Sequence, residues 1–266
     1  MMPAVFTLHR SPRLTLVGAG PGDPELITVK GINAIKNADV VLFDALVSKE
    51  ILQLIPSGVP ALSVGKRAGS HEFSQEDINE LIVEFAYLYG HVVRLKGGDS
   101  FVFGRGAEEI EYAISHGVQT AVVPGVTSAI AVPASINIPV TARGVSESFW
   151  VVTGTIKSGE ISGDVALAAK SSATVVILMG LKKIDEIMRL FEMNGKGETP
   201  VAVIQNGTLA TQRNVIGTVS TISGLTTQEH VGPPAIIVVG EVVRYASQLR
   251  EITKEAVGQY QYDGTQ

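Results

Sequence analysis

Three stretches place glycine and small polar residues where an apolar run ends: "VGAGPGDPE" (17–25), "LKGGDS" (95–100) and "VVPGVTS" (122–128). A glycine loop after a strand lets the backbone approach a ligand, and its best-known use is to aim N–H groups at a phosphate. The first stretch departs from G-x-G-x-x-G, because Gly18, Gly20 and Gly22 alternate and Asp23 follows. Pro21 has no N–H to offer, and Asp23 puts negative charge where a pyrophosphate would sit, so phosphate is a poor fit. Against this, Asp44 closes an apolar run about twenty residues further on, where a nicotinamide enzyme keeps its ribose-binding acid.

The basic residues are also suggestively placed. Lys66 and Arg67 leave the run "ALSVG", Arg105 follows the GGD loop, and Arg143 stands in "VTARG". Each alone reads as a solvated charge. Together they follow strand ends or a candidate domain junction, where they would ring a cleft that receives an anion. Glu108 and Glu109, one turn after Arg105, are spaced to pair with it or to steer it.

These loops need a scaffold, and the apolar pattern supplies one. Short Val- and Ile-rich runs without alternation recur between stretches of helical period, the mark of strands buried on both faces of a parallel sheet. Strands are expected at 13–17, 40–43, 60–64, 92–95 and 120–123. Helices are expected from Pro24 to Lys36, from a Ser74/Asp77 capping box to just before Gly90, and from Ala107 to His116. In an open parallel sheet the loops at the carboxyl ends share one edge, which is where ligands bind.

The segment 133–148 lacks periodicity and carries two prolines, which suggests a linker. The expected organisation is a tail at 1–12, an N-terminal α/β domain at 13–135, a linker at 136–148, a C-terminal α/β domain at 149–250 and a tail at 251–266. In the C-terminal part, "FWVVTG", "TVVILM", "VAVI", "NVIGTV" and "AIIVVGEVV" read as strands, with a helix near 183–193. Late strands with few helices between them imply a mixed sheet there.

Composition narrows the classes. The 266 residues include no cysteine and carry a formal net charge of −5. Disulfides and thiolate chemistry are thereby excluded, and a wide nucleic-acid or acidic-membrane surface is disfavoured. The five histidines are scattered, with no i, i+4 pair, so a metal site is not expected. No apolar run approaches the roughly 18 residues of a membrane helix, and the N-terminus does not read as a signal peptide. The expected location is the cytoplasm.

"VGAGPGDPELIT", "FDALVS", "VGKRAGSH", "KGGDSFVFGRGAEE", "VVPGVTSA" and "IPVTARG" occur in the order and spacing of the uroporphyrinogen-III C-methyltransferases, members of the tetrapyrrole methylase superfamily. "VVILMG", "VIQNGTLATQR" and "PAIIVVGEVV" are similar in the second half, so the resemblance runs from about residue 13 to 250. It implies an α/β fold of two domains, mostly parallel in the first sheet and mixed in the second, with the active site in the interdomain cleft. The implied activity is S-adenosylmethionine-dependent methylation of uroporphyrinogen III at C2 and C7. The products are precorrin-2, on the way to sirohaem, cobalamin or haem d1, and S-adenosylhomocysteine. A homodimer without metal is implied.

By the same resemblance the methyl donor is held by Pro21, Gly97, Gly98, Asp99, Val102, Thr127, Ser128, Met179 and Gly207. Asp44 and Lys66 fall on proton acceptor and donor positions. Arg105, Glu108 and Arg143 fall on positions for substrate binding or catalysis, and Arg105 is assigned to carboxylate anchoring because its ordinary pKa makes it a poor base. Phe43, Ser100 and Ala142 depart from the tyrosine, proline and histidine usual at those positions. "VGKRAGSH" argues against relatives that act on later precorrins, and Pro21 against an oxidoreductase.

Overall fold

The computed structural model describes residues 11–65 and 73–249, and the chain divides into two compact units, Met1–Thr127 and Ser128–Gln266. The first unit holds β1 (Arg13–Gly18), α1 (Val29–Lys36), β2 (Val40–Phe43), α2 (Lys49–Leu52), β3 (Ala61–Ser63), α3 (Gln75–Tyr89), β4 (His91–Lys96), α4 (Gly106–Ser115) and β5 (Gln119–Val123). Its strands pair in the order β3-β2-β4-β1-β5, every pair parallel. Leu14, Leu16, Val40, Leu42 and Val92 face one apolar layer, whereas Val17, Val41, Val93 and Leu95 face the other. That two-sided burial is why these strands read as continuous apolar runs rather than alternating ones. The edge strands β3 and β5 are the exception, with solvent-exposed positions at Ala61, Gln119 and Ala121.

The chain leaves β1 toward β2 on one side and leaves β4 toward β5 on the other. Adjacent strands whose connections diverge form a switch point, and the crevice lies beyond their carboxyl ends. The GAGPG and GGD loops occupy that position.

The second unit contains α5 (Ser128–Ala134), β6 (Phe149–Thr153), α6 (Gly163–Ala168), β7 (Thr174–Leu178), α7 (Ile184–Glu192), β8 (Pro200–Gln205), β9 (Arg213–Thr218), α8 (Ile222–Gln228) and β10 (Ala235–Val239). Its sheet runs β6-β7-β10-β8-β9, parallel only between β6 and β7. The sheet is mixed, as expected. Odd-numbered residues of β7, β8 and β10 enter a core under α6, α7 and α8, while even-numbered ones pack with Ala129, Val132, Ile136 and Ile138.

Several elements differ from the sequence expectation. The helix expected from Pro24 to Lys36 is a 3-10 turn over Pro24–Leu26, an extended Ile27, and then α1. Thr28 restarts the helix by accepting the Gly31 N–H at 3.1 Å, an N-cap strong enough to compete with continuation of the turn. Helices α2, α5, α6 and α8 are four to seven residues long, too short to show a helical period. Ala129, Val132, Ile136 and Ile138 belong to the second unit's core, which explains apolar residues in a stretch without periodicity. Ser74 and Asp77 form the expected capping box, with bonds of 3.1 and 2.7 Å. The expected tails at 1–12 and 251–266 lie almost entirely outside the described residues.

Candidate active site

The three glycine loops of the first unit converge. Gly20 and Gly98 exchange backbone hydrogen bonds of 3.1 and 2.6 Å. A Cβ on Gly18 would lie 2.5 Å from the Gly125 nitrogen, and one on Gly125 would lie 2.3 Å from the Gly98 oxygen. No side chain fits at either place, so loop-to-loop packing demands these glycines. Asp99 ties the assembly: its Oδ1 accepts the Phe101 N–H at 2.8 Å and its Oδ2 the Gly125 N–H at 2.9 Å. Asp23 is used locally, accepting the Glu25 N–H at 2.9 Å.

The N–H groups of Ala19, Gly20, Gly98 and Gly125 are therefore all satisfied within the protein. A pyrophosphate cradle needs such groups free, so these loops suit a ligand without phosphate. The Asp99 oxygens each retain a lone pair for a ligand donor.

Beyond the GGD loop the chain turns tightly into α4. Phe101 and Phe103 are exposed, Val102 is half-buried and Ser100 is buried. Arg105 sits in the left-handed region with φ of 59°, which sets its side chain alongside Glu108. Its Nε and Nη2 donate to Glu108 Oε1 and Oε2 at 2.8 and 2.5 Å. The bidentate Glu108 bond raises the Arg105 pKa above its ordinary value despite some desolvation. Arg105 is a fixed cation there, suited to anchoring a carboxylate and unsuited to accepting a proton.

Glu109 does not join Arg105. It turns inward, is 0% exposed, and its Oε1 accepts from Lys96 Nζ at 2.8 Å, Arg94 Nε at 3.4 Å and Gln75 Nε2 at 3.3 Å. Arg94 extends its Nη2 to Asp44 Oδ1, and Lys96 Nζ stands 3.7 Å from Asp44 Oδ2. The motif reading placed Glu109 beside Arg105 rather than here, and it missed Arg94 and Lys96. Their signal is "VVRLKGG", two cations at the spacing that puts both on one face of a buried strand.

Asp44 itself lies just past β2 and is 27% exposed. Lys66 lies outside the described residues. The residue before it, Gly65, has room for no side chain, because a Cβ there would fall 2.1 Å from the Ala45 nitrogen. The chain thus passes beside Asp44 immediately before residue 66.

In the second unit β7 and β8 run in the same direction, each antiparallel to β10 between them. Met179 and Gly207 therefore follow strand ends on one edge. Met179 has φ of 55° and is exposed. Its carbonyl accepts from Thr155 Oγ1 at 3.2 Å. A Cβ on Gly207 would fall 2.3 Å from Val132 Cγ1, so α5, which begins at Ser128, abuts that same edge. Arg143 is exposed in the turn closed by the Ala142–Ser146 bridge. Pro21 is half-buried in the first loop, and Thr127 is half-buried where the first unit ends. Among the described residues no group of three or more His, Asp or Glu side chains is placed to hold a metal ion. No helix there is long and apolar enough to cross a membrane.

Comparison with known proteins agrees with this architecture. The family model "Tetrapyrrole (Corrin/Porphyrin) Methylases" matches residues 13–223. A uroporphyrinogen-III C-methyltransferase from Methanocaldococcus jannaschii is 49% identical over 233 residues, spanning 87% of this chain and 96% of the relative. One from Synechocystis is 43% identical over 242 residues, 90% of this chain and 92% of the relative. The crystal structure of a Thermus thermophilus uroporphyrin-III C-methyl transferase complexed with S-adenyl homocysteine superposes with a TM-score of 0.76 at 37% identity, covering 87% of this chain and 99% of that one. With this match over most of its length, the chain belongs to the tetrapyrrole methylase family.

Proposed function

We propose that this protein is an S-adenosylmethionine-dependent uroporphyrinogen-III C-methyltransferase of the cytoplasm, acting as a homodimer at C2 and then C7 to form precorrin-2. The observation that carries the reading is the junction of three glycine loops beside Asp44, with the N–H groups of Ala19, Gly20, Gly98 and Gly125 already satisfied within the protein. Such a site has no nest for a pyrophosphate and suits a phosphate-free nucleoside. Asp44 is committed to Arg94 and Lys96, which also weakens the ribose-binding role of a nicotinamide enzyme.

S-adenosylmethionine supplies an electrophilic methyl group on a sulfonium: the C–S bond breaks as a C–C bond forms to an electron-rich pyrrole carbon, releasing S-adenosylhomocysteine. In this reading Pro21, Gly97, Gly98, Asp99, Val102 and Thr127 of the first unit hold the donor, as do Ser128, Met179 and Gly207 of the second. The Asp99 lone pairs left by the Phe101 and Gly125 bonds face donor N–H or O–H groups. Arg105, with Glu108 aiming it, and Arg143 take the carboxylates of the macrocycle. Asp44 accepts the proton lost after each methyl transfer, and Lys66 is the proton donor. Positioning supplies much of the acceleration, since two reactants are held in line.

The test is incubation with uroporphyrinogen III and methyl donor, followed by mass analysis. Two added methyl groups are expected. Parallel titration with S-adenosylhomocysteine and NADH separates the classes: binding of NADH alone overturns the proposal. Methylation of a later precorrin in preference to uroporphyrinogen III would reassign the substrate. Sedimentation velocity is expected to give the mass of two chains.

A further inference from the structure

The buried charges beneath Asp44 have no evident structural purpose. Arg94 stands between Leu16 and Leu42 in the strand register, both of which belong to an apolar layer of Leu, Ile, Val, Ala and Phe side chains. Two cations and Glu109 are almost fully desolvated there. An apolar set of similar volume is often as stable as such a cluster, so burial of these charges is weak evidence for a stabilising role. Glu109 reinforces the point. Only its Oε1 is used, and among the described residues its buried Oε2 has no hydrogen-bond partner, so what this position supplies is a counter-charge.

Each cation divides itself between a buried carboxylate and the partly exposed one. Arg94 uses Nε for Glu109, Nη2 for Asp44 and Nη1 for the Leu95 carbonyl at 3.0 Å, three directions that a planar guanidinium reaches and an ammonium does not. Lys96 spans the same two carboxylates. Asp44 is the member with a face open to solvent.

We propose that Arg94 and Lys96, anchored by Glu109, are positioning residues that hold the Asp44 carboxylate in the one orientation from which it receives the substrate proton. This rests on the assignment of Asp44 to proton transfer above. The role is indirect, because neither cation needs to touch either reactant.

The experiment is a cycle of Lys96→Met, Asp44→Asn and the double variant, measuring turnover of uroporphyrinogen III and affinity for S-adenosylhomocysteine. Lys96→Met is expected to lower kcat by roughly 10- to 100-fold, the scale of a misplaced catalytic group. KM and S-adenosylhomocysteine affinity should stay within about twofold of wild type. In the Asp44→Asn background the same change should cost less than about twofold, because the group being positioned is gone. An equal fold-loss in both backgrounds overturns the proposal, as does a loss carried by KM or donor affinity alone. Should Lys96→Met fail to fold, Arg94→Lys enters the same cycle with the same criteria, since it keeps the charge and loses only the three-way fork. Full turnover in Asp44→Asn would instead remove the proton-transfer assignment itself. The two failures are thereby distinguishable.

Discussion

At the scale of single residues the molecule separates charges that anchor from charges that orient. Arg105 and Glu108 are both about half exposed and form an ion pair at the solvent side, whereas Arg94, Lys96 and Glu109 are buried beneath Asp44. An exposed pair contributes little to stability, so Arg105 can be removed without unfolding the chain. Arg105→Leu should lower turnover by about 100-fold or more, comparable to loss of one electrostatic contact in a transition state. Isothermal titration should find S-adenosylhomocysteine affinity unchanged, and equal loss of both would move Arg105 to the donor site. Asp44→Asn should cut turnover by roughly 10²–10⁴-fold, the usual contribution of a positioned proton acceptor, as measured under single-turnover conditions.

Among the elements, the glycine loops decide what ligand the sheet edge accepts. Gly18, Gly98 and Gly125 are within van der Waals reach of one another, and spending the Gly20 and Gly98 N–H groups on each other's carbonyls and the Gly125 N–H on Asp99 removes the anion nest that a dinucleotide needs. Gly125→Ala should cost about 1–3 kcal/mol, typical of overpacking, because its Cβ would meet backbone, which cannot swing away. Urea denaturation checks the loss, and weaker S-adenosylhomocysteine binding should accompany it. By contrast Ser74→Ala removes only a cap from α3 and should cost about 1 kcal/mol without changing the affinity.

For the whole molecule, the two sheets use one device, a strand buried on both faces, with different pairing: all parallel in the first and mixed in the second. Global stability should depend on pH through His91, which is held between Thr15 Oγ1 and the Asn37 carbonyl at 2.8 Å each. Burial lowers its pKa below 6.5, more than the Asn37 bond raises it. The unfolded chain then binds this proton first as pH falls. The stability contribution is present above about pH 6.5 and lost below it, at no more than about 1.4 kcal/mol per pH unit. Denaturation midpoints measured from pH 7.5 to 5 should fall below pH 6.5, and His91→Gln should flatten that contribution. What the chain alone determined was the succession of β1 to β5 along the sequence, the capped α3, the glycine loops and the poor fit of a phosphate beside Pro21 and Asp23, because each is written in neighbouring residues through apolar run, cap, missing N–H or charge. The short helices α5 and α8 left no period to read. Tertiary structure alone decided that Gly18, Gly98 and Gly125 meet, that Glu109 turns away from Arg105, and that Arg94 and Lys96 lie beneath Asp44. Those contacts join residues up to about a hundred positions apart, and strand pairing, which no local pattern encodes, brings them together.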